Sequence, residues 1–324
     1  MSFSALYPLK FKPILKEKVW GGSKLKTLYN KEGGETLGES WELSGVTGNI
    51  SEVNNGKLKG KKLNELIEHY TADLLGNKVY KAYGTNFPLL FKFIDAKQDL
   101  SVQLHPNDTL AKERHNSFGK TEMWYIMNAE ENSRLILGFN REMDQSTYEE
   151  YLQNNNIMEI LHSENVKKGD SFFIAPGTVH AIGAGVVLAE IQQTSDITYR
   201  IYDWDRPGTD GNMRELHTQE AIAAIDYNQP DAKLAYQHIT NEAVLLKKSA
   251  YFETNRLSLT KQFKRDLSII DSFVVYMCVA GNGTIEVDDF SETISTGETV
   301  LIPANFKELT IKTQNATVLE VYIP

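Results

Sequence analysis

Past residue 87 the chain is written as short runs of β-branched and aromatic residues, four to seven long, at 88–94, 123–127, 135–139, 171–174, 186–192 and 199–202. Gly, Pro, Asn and Asp punctuate the runs, and a denser series follows from Phe273 to the end. Many short strands with turns between them predict a sandwich or barrel. Helical spacing interrupts this plan at 62–75, where Leu63, Leu66, Ile67, Tyr70 and Leu74 share a face, and again at 107–115, 145–161 and 218–225. The expected fold class is therefore mainly β with a few inserted α-helices.

Two of the β segments resemble each other. Gly169-Asp170-Ser-Phe-Phe-Ile174-Ala175-Pro176 matches Gly297-Glu298-Thr-Val-Leu-Ile302-Pro303-Ala304 in its turn glycine, acid, isoleucine and Pro/Ala pair. Each copy follows an earlier strand pair: 123–127 with 135–139 in the first, and 273–279, a turn at Ala280-Gly281-Asn282-Gly283, and 284–287 in the second. Such an internal repeat predicts two jelly rolls, each closing a sheet on itself. The copies part where chemistry would sit. Eleven residues after Gly169 stands His180, whereas the same offset from Gly297 reaches Glu308.

Composition narrows the function. The 324 residues carry 34 Lys+Arg against 43 Asp+Glu, a formal charge of −9. Without a Lys/Arg-rich block, nucleic acid and anionic membrane are excluded as main partners, while a local basic pocket for a small anion remains open. The lone cysteine, Cys278, allows neither an intrachain disulfide nor a cysteine zinc cluster and fits a reducing compartment. The N-terminus has no leader-like pattern, so the cytoplasm is the expected location. The uncharged stretch 171–189 holds Pro176, Gly177, His180, Gly183 and Gly185, and it reads as strands and turns instead of a span.

Gln103 and His105 follow a β-type stretch, and residues two apart on a strand share a face. Glu122 opens the next run seventeen positions on, and His180 leaves the Pro176-Gly177 turn. Two imidazoles, a carboxylate and a side-chain amide delivered by three strands make a nitrogen/oxygen metal site. Zn²⁺ suits it, and Mn²⁺, Co²⁺ or Fe²⁺ fit as well. Gln103 is the weakest ligand, since an amide oxygen binds zinc poorly. The other five histidines lie in polar or helical contexts. On this reading residues 1–240 form a metal-binding roll with helical insertions, and 241–324 a C-terminal roll without a metal site. Two nucleotide motifs fail: Gly119-Lys120-Thr121 has Arg114 where a P-loop needs glycine, and Gly183-Ala184-Gly185 lacks a third glycine.

Seven segments together resemble the type I mannose-6-phosphate isomerases, in their short bacterial form. They are Val19-Trp20-Gly21-Gly22, Gly38-Glu39-Ser40-Trp41-Glu42-Leu43-Ser44, Pro88 to Asp95, Leu100 to Asp108, Gly119 to Tyr125, Pro176 to Ala181, and Ala189 to Gln193 with Tyr199 to Trp204. They occur in the family's order and cover about residues 8–217. The resemblance implies a cupin-type double roll that interconverts mannose 6-phosphate and fructose 6-phosphate through an enediol. It implies one Zn²⁺ on Gln103, His105, Glu122 and His180, a catalytic arginine at Arg200, and Lys120 and Glu190 at the substrate. The large helical insertion of eukaryotic members is missing, and the run Tyr199-Arg200-Ile201-Tyr202 departs from theirs.

That chemistry needs a group to lift and return a carbon-bound proton, and Lys120 and Glu190 are both candidates. Arg200 offers a permanent charge for an enediolate oxygen, or a plain ion pair with Asp196 or Asp203. For the phosphate, Ser101 offers a hydroxyl and Lys92 and Arg206 offer charge, with an Arg206–Asp205 pair as the plain alternative. Trp20, Trp41 and Trp124 fit either the wall of a sugar pocket or the core. The other functional readings are a non-catalytic sugar-phosphate or metal-binding double roll and a cupin-type oxygenase.

Overall fold

The computed structural model describes residues 5–324. The chain divides into two compact units: residues 15–40 with 93–233, and residues up to 14 with 41–92 and 234–324.

The first unit is built from β1 (Ile14–Gly22), β2 (Leu37–Ser44), β3 (Leu89–Asp95), β4 (Val102–Leu104), β5 (Glu122–Asn128), β6 (Arg134–Phe139), β7 (Leu161–Asn165), β8 (Ser171–Ile174), β9 (His180–Ile182), β10 (Val187–Gln193) and β11 (Tyr199–Tyr202). The unit boundary falls within β1, β2 and β3. One sheet runs β1-β2-β3-β10-β5-β8 and the other β11-β4-β9-β6-β7. Strand parity sorts the second sheet's residues. Leu135, Leu137 and Ile182 pack with Trp124, Ile126, Phe172, Ile174 and Leu188 of the first sheet into one apolar cluster, so the two sheets face each other. The alternate residues Val102, Leu104, Ile136, Ala181, Tyr199 and Ile201 join Tyr148, Ile157, Ile160 and Ala221 on the outer side. Helices therefore cover the outer face of the five-stranded sheet. Gln103, His180 and Arg200, which alternate with the outer set, are left on the inner face.

The second unit holds the remaining strands, β12 (Ala243–Lys248), β13 (Glu253–Leu259), β14 (Phe263–Asp266), β15 (Val274–Val287), β16 (Phe290–Ser295), β17 (Thr299–Ile302) and β18 (Glu308–Tyr322). They form one sheet in the order β12-β13-β18-β15-β16, with β14 added to β18 and β17 to β15. Two long strands that each serve two sets of neighbours let a sheet curl onto itself. The expected turn at 280–283 is instead a pair of bulges inside β15, between Cys278 and Ala280 and between Asn282 and Thr284. Gly281 makes this possible: its φ is +74°, and a Cβ there would lie 1.9 Å from the Asn315 carbonyl oxygen.

The internal repeat is reproduced in hydrogen bonds. Gly169 N–H donates to the Ile126 carbonyl, and Ile126 N–H donates to the Asp170 carbonyl. In the other unit Gly297 and Glu298 make the same pair of bonds with Cys278. At the common offset, His180 opens β9 and Glu308 opens β18.

The helices differ from the sequence pattern at backbone breaks. The segment 145–161 stops at Gln153, because Asn155 adopts a φ of +58°, and a 3₁₀ turn at Ile157–Ile160 leads into β7. Thr71, at φ +49°, splits 62–75 into Leu63–Tyr70 and Ala72–Leu75. Two further short helices, Lys24–Tyr29 and Asn77–Tyr83, lie outside the four expected helical segments. No helix among the described residues is long and apolar enough to cross a membrane.

Candidate metal centre

Four adjacent strands deliver one row of side chains. Arg200 on β11 is registered with Gln103 on β4, Gln103 with His180 on β9, and His180 with Leu137 on β6. His105, two residues beyond Gln103, continues the same parity. The facing sheet contributes Glu122, registered with Gln192 on β10 and Ile174 on β8, and one step along it Trp124, registered with Glu190.

Lys120 arrives on a loop that is clamped rather than loose. Asp108 Oδ1 accepts from Gly119 N–H (2.8 Å) and Gln193 Nε2 (3.0 Å), while Gln193 Oε1 accepts from Thr121 N–H (2.9 Å). Gly119 is required at this crossing, since a Cβ would come within 2.6 Å of the Asp108 nitrogen.

His105, Glu122 and His180 are each 1% exposed, and their ligand atoms lie within 4.8 Å of one another. His105 Nδ1 stands 2.8 Å from the Ile197 carbonyl oxygen and His180 Nδ1 2.9 Å from that of Thr178. A carbonyl can only accept, so both Nδ1 atoms carry hydrogen and both Nε2 lone pairs point at the cluster. Burial, then the Lys120 charge, pushes the His105 imidazole down to about 4, and burial likewise lowers His180. Both rings are neutral, the form that binds metal. Burial alone raises the Glu122 carboxyl, but the Lys120 charge beside it opposes this, and the group is held well below the usual carboxylate range.

The cluster is short of donors. Glu122 Oε1 is 3.0 Å from Lys120 Nζ and 3.3 Å from His105 Nε2, and Oε2 is 3.8 Å from His180 Nε2. Neither carboxylate oxygen accepts an aligned hydrogen bond, and His180 Nε2 has no partner. Lys120 donates to His105 Nε2 at 3.2 Å. Buried acceptors left this way are costly unless a cation fills the space between them. Two imidazole nitrogens and a carboxylate are a donor set for a borderline divalent ion. Among the described residues, these three are the one group of His, Cys, Asp and Glu that converges in this way.

The remaining expected residues divide. Gln103 Oε1 accepts from the Ser101 hydroxyl at 3.1 Å, so Ser101 is tied to Gln103. Glu190, 3% exposed, accepts from Trp124 Nε1 at 2.9 Å. Arg200 donates from Nη1 to the Glu215 carbonyl (2.8 Å), while its Nε is buried without a partner. Burial and the neighbouring Arg214 lower its basicity. Arg206 pairs with Asp203 (3.2 Å), not with the adjacent Asp205, whose carboxylate takes the Tyr202 hydroxyl instead. Lys92 lies on β3 in the other unit, its ammonium 5.3 Å from the centre of the Trp41 ring. Trp20, Trp41 and Trp124 are all buried.

Two features had no signal in the sequence. Arg214 folds back on Asp203 through a two-point ion pair, placing Arg200, Arg206 and Arg214 around one buried carboxylate. The clamp of Asp108 and Gln193 on the Lys120 loop joins residues 85 apart in the chain.

A profile described as phosphomannose isomerase type I, catalytic domain, matches residues 8–132, and one described as mannose-6-phosphate isomerase, cupin domain, matches 241–323. The chain is 35% identical over 312 residues to the mannose-6-phosphate isomerase ManA of Bacillus subtilis, covering 94% of this chain and 96% of that protein. It is 32% identical over 305 residues to the mannose-6-phosphate isomerase of Streptococcus mutans, covering 93% of each. The crystal structure of the mannose 6-phosphate isomerase from Bacillus subtilis superposes with a TM-score of 0.89 at 30% identity, over 98% of this chain and 99% of that one.

Proposed function

The chain belongs to the type I phosphomannose isomerases and is a mannose-6-phosphate isomerase, an aldose–ketose isomerase; we propose that it works through the His105–Glu122–His180 cluster, with zinc as its metal. The observation that carries this reading is the buried Glu122 carboxylate, which faces the Lys120 ammonium and two imidazole Nε2 atoms and accepts no aligned hydrogen bond on either oxygen.

Interconverting mannose 6-phosphate and fructose 6-phosphate moves one proton from C2 to C1 and another between the two oxygens. When bound by His105, Glu122 and His180, with the Gln103 amide oxygen beside them, the divalent ion supplies Lewis acidity toward the substrate oxygens. Glu190, or Lys120 in its place, takes the C2 proton. The electrons of that bond form the C1–C2 double bond of the enediol, and the same group returns the proton to C1. Glu190 is the stronger candidate, because its carboxylate accepts from the neutral indole N–H of Trp124, whereas the Lys120 ammonium already faces Glu122 and His105. Arg200, on the inner face beside Gln103, meets the negative oxygen of the enediolate with its unpaired Nε. Arg206 and Ser101 receive the phosphate.

The protein's partner on this reading is the sugar phosphate, with neither nucleic acid nor membrane, and its compartment is the cytoplasm. The chemistry belongs to residues 1–240, and 241–324 form a roll without metal ligands. A coupled assay with mannose 6-phosphate before and after chelation, with elemental analysis, tests the proposal. The expected result is about one divalent ion per chain, activity lost with it, and recovery on adding zinc. Full activity in metal-free protein would refute it.

A further inference from the structure

We propose that Trp124 is a positioning residue for the isomerisation, acting through Glu190; this rests on the reading of Glu190 as the group that moves the carbon-bound proton. Trp124 and Glu190 sit directly opposite one another on β5 and β10, so their side chains leave the same face side by side. The indole N–H donates to Glu190 Oε1 at 2.9 Å, with Trp124 1% and Glu190 3% exposed. A donor on a carboxylate makes a charge-assisted bond, stronger and more directional than a neutral one. It fixes the plane of the carboxylate that receives the proton.

The same ring touches the metal cluster. Its edge meets the His180 imidazole, with centroids 5.3 Å apart and planes at 79°. On its other flank β5 pairs with β8, which sets Trp124 opposite Phe172, and the Ser171 hydroxyl donates to the Trp124 carbonyl at 2.8 Å. One rigid side chain thus spans the distance between a candidate ligand and the candidate base. Packing alone does not require an indole here. The surrounding cluster of Ile94, Ile126, Leu137 and Leu188 would accept a phenyl ring, which lacks the N–H.

If Trp124 acts through Glu190, its loss changes the proton's path without changing the binding of metal or sugar. During each turnover the proton rests on Glu190 between C2 and C1. A carboxylate out of plane returns it more slowly, and the resting proton exchanges with solvent more often. The test is a double-mutant cycle of Trp124→Phe and Glu190→Gln in the metal-loaded enzyme, with deuterium uptake from D₂O measured per turnover. Trp124→Phe is expected to lower kcat about 10²-fold, the order expected for a misplaced reacting group. KM and metal content should stay within about twofold, and deuterium uptake per turnover should rise. In the Glu190→Gln background the same substitution should cost less than about threefold. Equal cost in both backgrounds, or no cost in the parent enzyme, would overturn the role of Trp124. A Glu190→Gln enzyme with unchanged kcat would instead remove the reading of Glu190 on which it rests. Should Trp124→Phe fail to fold, benzothienylalanine at position 124 keeps the ring volume, removes only the N–H, and must give the same pattern.

Discussion

The most deeply buried glutamates of the two units, Glu122 in one and Glu320 in the other, are treated in opposite ways. Glu320, 0% exposed, accepts from Arg265 Nε (2.8 Å) and Nη2 (2.7 Å), the Tyr276 hydroxyl (2.7 Å) and Asn255 Nδ2 (3.2 Å). All four of its acceptor positions are filled. Glu122, 1% exposed, has none filled by an aligned donor: the Lys120 ammonium lies at 3.0 Å, and the next groups are two imidazole nitrogens, of which His180 Nε2 has no partner. A buried charge with a complete set of donors is finished as structure. One surrounded by further acceptors is finished only by a cation. The repeat sharpens the contrast: the position that opens a strand eleven residues after the turn glycine is a buried His180 in one roll and an exposed Glu308 in the other.

The largest effect should come from breaking the unfinished set. His105→Ala and His180→Ala are each expected to lose the metal and abolish isomerase activity while the protein stays folded. The cluster sits within a large apolar core that does not depend on the ion for its packing. Elemental analysis beside circular dichroism checks this, and tight metal retained in either variant would mean that the ligand set is wrong.

Next in size is Arg200→Ala. If Arg200 meets charge that exists only in the transition state, kcat falls about 10²–10³-fold while metal content and sugar-phosphate affinity change little. Arg200→Lys should restore only part of this, since an ammonium lacks the guanidinium fork. Normal turnover with much weaker binding would make Arg200 a phosphate anchor and shift the catalytic role elsewhere.

The finished set predicts the reverse pattern. Arg265→Met strands Glu320 without its main partner and should cost about 3 kcal/mol, the lower end for breaking a buried pair because Arg265 is partly exposed. Urea unfolding reads the loss, and kcat per folded molecule should not move. Arg265→Met with Glu320→Leu should recover part of it. A fall in metal content in either variant would mean that the two carboxylates are not separable as function and structure.

Strand parity carried much of this picture. Alternation placed Gln103 and His105 on one face, and the repeat of glycine, acid and isoleucine reappears as identical backbone hydrogen bonds. What was not legible depends on backbone angles or long loops. Thr71 and Asn155 break helical periodicity through positive φ, to which an apolar pattern is blind. Gly281 makes a bulge where a Gly-Asn-Gly sequence reads as a turn, because β18 continues to pair on both sides of it. Arg206 finds Asp203 three residues back, since Trp204 and Asp205 both take positive φ and turn the chain between them. Adjacency in sequence favoured Asp205, and it was the wrong guide.

The smallest effect tests the amides that stand beside each carboxylate system. Asn255 is registered with Glu320 and donates to it, while Gln103 is registered with His180 and turns its amide oxygen to the Ser101 hydroxyl. One lone pair of that oxygen is therefore engaged, and Gln103 is more exposed than the 1% of His105 and His180. An amide oxygen so placed orients the site more than it binds the ion. Gln103→Ala is accordingly expected to weaken metal binding about tenfold, the lower range for removing a group that supports ligands. Near-normal kcat should return once metal is in excess. Titration with a competing chelator measures the affinity. Metal loss as complete as in His180→Ala would make Gln103 a full ligand, and the cluster would then be finished by four protein groups instead of three.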